Sequence, residues 1–169
     1  MMTLTRWRFD GKPPDLAKAV VIVAPHTSNW DFVVGVMGMF AGGLRLSWFG
    51  KHTLFRKPFG SLMRWLGGIP VDRATAQGSV QQIVDVFRSR SQLLLALAPA
   101  GTRSAVAEWR SGFWRIADAA EVPIVPVFFD YARRVIGFAA PYQSTGDYGV
   151  DLAHLQGIFA GVTPRRAGR

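Results

Sequence analysis

The sequence predicts a single α/β domain across residues 1–169, one layered unit with a largely parallel central sheet flanked by helices. Three observations predict it. The chain of 169 residues is 49% hydrophobic and 18% charged, long enough and apolar enough for one sizeable core and too apolar for disorder. Short uncharged runs rich in aliphatic residues recur along it, the mark of strands buried on both faces. Between these runs lie longer segments with helical periodicity and helical start and stop signals. No internal repeat, linker or low-complexity segment interrupts the alternation.

The elements follow in order. Lys18 to Ala24, "KAVVIVA", is a buried strand closed by Pro25. Asn29 to Ala41 is a helix with Thr27 or Ser28 as its cap and Gly42-Gly43 as its end. It carries no charge after Asp31, so it is buried or faces a membrane. Leu44 to Gly50 alternates as a strand does, and Pro58 to Leu66 is a short helix with Pro at its start. Ile69 to Val71 is a short strand. Gly78 to Arg90 is an amphipathic helix that puts Val80, Ile83, Val84 and Phe87 on one face. "QLLLALA" from Gln92 is a second buried strand, Gly112 to Ala120 a helix, and "PIVPVFFDY" from Pro123 a third buried strand. Arg134 to Ala140 is a further strand and Asp151 to Ala160 a last helix. The tail, "TPRRAGR", reads as loose.

Composition narrows the function. No apolar run reaches the ~20 residues needed to span a bilayer. "MMTLTRWRFDGKPPD" at the N-terminus has no signal-peptide core. With no cysteine there is neither a disulfide framework nor thiolate chemistry, which fits the cytosol. Twenty Lys and Arg stand against 11 Asp and Glu, a net charge of +9, which points to an anionic partner. The surplus concentrates between Arg45 and Arg73, where six basic residues meet one acid, Asp72. Trp48, Phe49, Phe55, Phe59 and Trp65 interleave with them, together with Leu and Met. A nucleic-acid surface sets exposed aromatics in a polar background, whereas an aliphatic background suits a lipid interface. Core residues beside a solvated basic face would give the same pattern.

Ligands in open α/β sheets gather beyond the carboxyl ends of the strands, and three strand ends carry polar groups. The first runs into His26 and Asp31. A histidine acts as a general base near neutral pH when a carboxylate holds its other ring nitrogen and stabilises the imidazolium. Asp31 falls about one turn inside the following helix and can reach back to His26. It would equally serve there as a carboxylate favouring the helix N-terminus. The second strand end runs into Asp72-Arg73. The third runs into Gly101, Thr102, Arg103 and Ser104. Two arginines on adjacent strand ends would make a forked phosphate or carboxylate site, and each alone would make a surface salt bridge. There is no Gly-x-Ser-x-Gly elbow and no cysteine, so a base here would act on a hydroxyl carried by the substrate. Three histidines without metal-ligand spacing argue against a metal, and the lack of a Walker loop argues against nucleotide hydrolysis.

Four stretches, in order, resemble the motifs of the glycerolipid acyltransferases of the lysophosphatidic-acid-acyltransferase type. "HTSNWD" (His26 to Asp31) is similar to their His-x4-Asp. "GGIPVDR" (Gly67 to Arg73) resembles the second motif, which ends in a phosphate-binding Arg. "AGTRS" (Ala100 to Ser104) resembles the third, usually Glu-Gly-Thr-Arg-Ser. "VPIVPV" (Val122 to Val127) is similar to the proline-containing fourth. The resemblance spans a motif-bearing core at roughly residues 17 to 130. It implies a glycerol-phosphate-acyltransferase-like fold. It also implies transfer of an acyl group from acyl-CoA or acyl-acyl-carrier protein to a hydroxyl of a lysophospholipid or related acceptor. His26 would be the base, Asp31 its partner, and Arg73, Gly101, Thr102, Arg103 and Ser104 the substrate-binding residues. No metal and no bound cofactor are implied, only the acyl thioester as co-substrate. The implied partners are an anionic membrane surface, the acyl donor and the hydroxyl acceptor, not nucleic acid. The implied location is cytoplasmic and peripheral, monotopic on the inner face of the membrane. One position departs from the family: Ala100 stands where the third motif has an acceptor-associated Glu. That leaves the acceptor open, and with it an alternative, a non-catalytic lipid- or membrane-binding protein on the same fold.

Overall fold

The structure, a computed structural model, describes residues 6–71, 76–100 and 108–165. Its strands are β1 (Arg8–Asp10), β2 (Lys18–Val23), β3 (Leu46–Lys51), β4 (Gly68–Val71), β5 (Leu93–Leu97), β6 (Ile124–Asp130) and β7 (Val135–Phe138). They form one seven-stranded sheet in the order β1-β7-β6-β2-β5-β3-β4. The helices are α1 (Asn29–Ala41), α2 (Gly60–Trp65), α3 (Ala76–Ser89), α4 (Gly112–Ala119) and α5 (Tyr148–Ile158), with a 3-10 turn at His52–Phe55. Every neighbouring pair of strands is parallel except β6 and β7, so the largely parallel sheet expected from the sequence is the one observed.

Alternation along the buried strands divides the core in two. Val20, Ile22, Leu93, Leu95 and Ile124 point to one face, where α3 (Ile83, Phe87), α4 (Phe113, Ile116) and α5 (Leu155) cover them. Ala19, Val21, Leu94, Val125 and Val127 point to the other, where Val34 of α1 packs on them with Trp7 and Phe129. Thus three of the described helices fill one face and α1 is the main cover of the other.

α5 begins at Tyr148, three residues before the Asp151 start read from the sequence, because Asp147 caps it by accepting from the Gly149 and Val150 N–H groups. Asp151 is fully buried instead. It accepts hydrogen bonds from Trp114 Nε1 (2.7 Å), the Tyr142 hydroxyl (2.6 Å), Ser144 Oγ (2.9 Å) and Thr145 Oγ1 (2.6 Å). Burial pushes its carboxyl pKa up. Those hydrogen bonds outweigh burial and hold it well below the usual carboxylate range.

Two further features differ from the sequence reading. β1 was not expected: three residues, "RFD", carry no strand pattern. It forms because β7 has an open edge, which Arg8 to Asp10 pair with in parallel, helped by the Arg8 N–H donating to the Arg134 carbonyl (3.0 Å). The tail is also tied down as far as Arg165, since the Tyr131 N–H donates to the Thr163 carbonyl at 3.0 Å. The Arg165 guanidinium lies over the Trp30 ring, 4.9 Å from its centroid.

Candidate active site

β2 delivers the chain to the carboxyl edge of the sheet and Pro25 follows it. Ser28 is then the cap of α1: its backbone is extended (φ −147°) and its Oγ accepts from the Trp30 N–H at 3.2 Å. Asp31, three residues on, closes a capping box by reaching back to the Ser28 N–H (2.8 Å). The same oxygen, Oδ2, accepts from the Thr27 N–H at 2.8 Å and lies 3.4 Å from His26 Nδ1. Asp31 therefore occupies both of the expected positions at once. One carboxylate caps the helix and faces the imidazole. It is only 2% exposed, so its charge acts in a medium far less screening than water.

The other oxygen, Oδ1, accepts from the Tyr131 hydroxyl at 2.6 Å. Tyr131 follows the last residue of β6, the strand beside β2. Burial and the hydrogen bond to Asp31 push its pKa well above the ordinary tyrosine value, so it stays protonated and acts as a donor. Sequence reading missed it. The signal was available only through strand order: a residue just past β6 must sit near the end of β2.

His26 and Asp31 also line an apolar cavity of about 210 Å³ between α1 and the sheet. Val21, Val23, Phe129, Leu44 and Trp48 are among its walls. His26 and Ala98 mark the carboxyl ends of the strands, Pro14 and Leu44 their amino ends, so the space runs along the sheet under α1. Glycines on the inner face of α1 keep it open. A Cβ at Gly38 would come within 2.7 Å of Ile136 Cδ1, and one at Gly35 would meet Phe129 Cζ at 3.5 Å.

Arg73, Gly101, Thr102, Arg103 and Ser104 lie outside the described residues. The strands that lead to them are described, and they correct one expectation. β5 and β4 are not adjacent, because β3 lies between them. β5 is instead a direct neighbour of β2, so the strand that leads to Gly101–Ser104 ends beside the strand that leads to His26. Ala100 is half-buried just past β5.

The stretch from Arg45 is likewise divided. Phe55 is buried and Trp48 half-buried, with Trp48 Nε1 donating to the Leu66 carbonyl at 2.9 Å. Leu54, Phe59, Leu62 and Trp65 are exposed, Trp65 by 70%. Phe40 of α1, also exposed, touches the Trp65 ring at 5.6 Å, so the outer faces of α1 and α2 are continuous. Arg45, Arg56, Lys57 and Arg64 are exposed in this region, and no Asp or Glu occurs from Phe32 to Val71. No described helix is long and apolar enough to cross a membrane.

Comparison with known proteins adds the family. The family model named Acyltransferase matches residues 9–130, well over half of the chain, from β1 to the end of β6. No curated protein and no solved structure matches. With an α/β sheet that carries a His-Asp pair at the end of its second strand, the chain belongs to the glycerolipid acyltransferase family, and the chemistry of that domain is acyl transfer.

Proposed function

We propose that the protein moves a fatty acyl group from acyl-CoA or acyl-acyl-carrier protein to a hydroxyl of a lysophospholipid or related acceptor. The observation that carries this reading is the His26–Asp31 pair on the wall of an apolar cavity. A base beside an apolar slot suits a reaction between a hydroxyl and the thioester of a long chain. His26 Nδ1 faces Asp31, so Nε2 is the nitrogen that takes the acceptor's proton. The acceptor oxygen attacks the thioester carbonyl, the C–S bond breaks, and the proton on His26 passes to the leaving thiolate. No acyl-enzyme forms. Arg73 and Arg103, with Gly101, Thr102 and Ser104, hold the acceptor's phosphate or polar head; their match to the family motifs supports this. The test is thiol release from acyl-CoA and from acyl-carrier protein across a panel of hydroxyl acceptors. Transfer to none of them by the wild-type protein would favour the lipid-binding alternative.

If the cavity holds the acyl chain, Gly35→Leu should discriminate by length. Its Cβ fits against Phe129, and the remaining carbons take up cavity space. Losing room for two methylenes, at about 0.8 kcal/mol each, lowers kcat/KM for the longest donors by about tenfold. Short donors should be nearly unaffected. An equal loss at every chain length would remove the cavity from the acyl site.

The outer faces of α1 and α2 are proposed to dock on an anionic bilayer, as a peripheral protein, at the surface where the lipid substrates reside. The joined aromatics, the exposed cations and the lack of acids from Phe32 to Val71 support this partner. The protein should bind anionic vesicles more tightly than zwitterionic ones, and less tightly as salt rises. Arg56→Glu with Lys57→Glu should weaken binding by at least about 1 kcal/mol per basic residue lost. Equal flotation with both kinds of vesicle would count against an electrostatic contribution.

A further inference from the structure

We infer that Tyr131 is a positioning residue for the His26–Asp31 pair: its hydroxyl fixes the carboxylate through the oxygen that His26 does not face, and so governs how the imidazole is held. The inference rests on the acyltransferase reading for its consequence in catalysis, but its physical content can be read without substrate.

Three observations carry it. Asp31 Oδ2 already serves the Thr27 N–H, the Ser28 N–H and His26, so rotation of the carboxyl is opposed at the far side by whatever holds Oδ1. That group is the Tyr131 hydroxyl at 2.6 Å, a short hydrogen bond to a charged acceptor in a buried place. Tyr131 is itself braced from two other segments. Its ring packs edge-on against buried Trp7 at 5.1 Å, and its N–H donates to the Thr163 carbonyl. The Arg165 guanidinium lies 5.9 Å from its ring centre, where a positive charge makes the hydroxyl a stronger donor. So the segment before β1 and the C-terminal tail, 156 residues apart between Trp7 and Thr163, both converge on the side chain behind Asp31. Finally, Tyr131 is the first residue beyond the 9–130 stretch that the family model matches, and Thr163 and Arg165 lie further still. This support is built by the part of the chain that the family match does not cover.

Among the described residues, the titratable and charged groups recorded around the pair are His26, Asp31, Tyr131 from the end of β6 and Arg165 from the tail. With the phenol removed, the carboxylate no longer shares its charge with a hydroxyl. It then holds the imidazolium more tightly, and it is freer to turn.

The experiment is Tyr131→Phe, which keeps the ring on Trp7 and deletes only the hydroxyl. The expected result is a kcat lower by about tenfold to a hundredfold with KM little changed, as for loss of a hydrogen bond to a charged group. The acid limb of the pH–rate profile should move to higher pH. An NMR titration of the His26 imidazole, identified among three histidines by its absence in His26→Ala, should move the same way. Tyr131→3-fluorotyrosine, a stronger donor of nearly the same shape, should move the His26 midpoint down; this variant carries the test if Tyr131→Phe does not fold. An unmoved midpoint in the variant proteins overturns the inference, even with a reduced rate, because a purely structural role would reduce rate and melting temperature together. If the wild-type protein transfers no acyl group, the functional reading fails, while a moved midpoint still establishes the link from hydroxyl to carboxylate to imidazole.

Discussion

His26→Ala is expected to lower acyl transfer by about a thousandfold while leaving the fold in place, because a positioned general base alone contributes roughly 10²–10⁴-fold. The fold should survive because the cap that sets the loop is built by Ser28 and Asp31. Ser28 caps α1, and Asp31 keeps its bonds from the Thr27 and Ser28 N–H groups and from Tyr131 without the imidazole. The change in stability should be about 1 kcal/mol or less. The other two histidines cannot substitute. His154 stacks on Tyr142 on α5, which packs against the opposite face of the sheet, and His52 sits exposed on the 3-10 turn after β3. Thiol release and circular dichroism on the same preparations check both halves. Turnover within tenfold of wild type, on any acceptor that the wild type uses, would place the base elsewhere.

The fold was legible where physics leaves a local trace. β2, β5 and β6 lie between two packed layers, so each is an unbroken apolar run, and their limits were read to within one or two residues. The start of α1 was legible because Ser28 and Asp31 do their capping within four residues of chain. Strand order leaves no such trace. Nothing in the sequence says that β5 slots between β2 and β3, so the expected adjacency of β4 and β5 does not hold. Nor does anything local say that β6 lies beside β2, which is what brings Tyr131 to a carboxylate 100 residues away. β1 and the bound tail have the same cause: both exist through pairing and contacts with β7 and Tyr131, not through their own composition. The aromatic and basic stretch from Arg45 to Arg73 illustrates a different limit. Composition cannot sort Phe55 from Phe59. The first is 6% exposed and the second 64%, so core and surface readings each describe part of the segment.

Asp31→Asn should be nearly as damaging to turnover as loss of His26, on the order of 10³–10⁴-fold, with a much smaller effect on stability. The carboxylate faces donors on every recorded side: two backbone N–H groups and the imidazole at Oδ2, and a phenol at Oδ1. An amide can meet this array in two ways. If its oxygen takes the place of Oδ2, the cap on α1 persists and Tyr131 must turn its hydroxyl to accept. His26 Nδ1 then still finds an oxygen, but one without the charge that stabilises an imidazolium. If its NH2 takes that place, the cap is lost to a clash with the Thr27 and Ser28 N–H groups. His26 is then driven to accept at Nδ1 and to carry its proton on Nε2, the tautomer that cannot act as base. The first orientation keeps more hydrogen bonds and should prevail, so the melting temperature should fall by no more than about 1–2 kcal/mol of stability would produce. Asp31→Ala separates the two roles. It takes the acceptor away from two buried backbone N–H groups and from the Tyr131 hydroxyl, and should cost about 2–3 kcal/mol more than the amide does, for a similar loss of rate. An Asp31→Asn protein that keeps more than a tenth of wild-type kcat would reduce Asp31 to a helix cap.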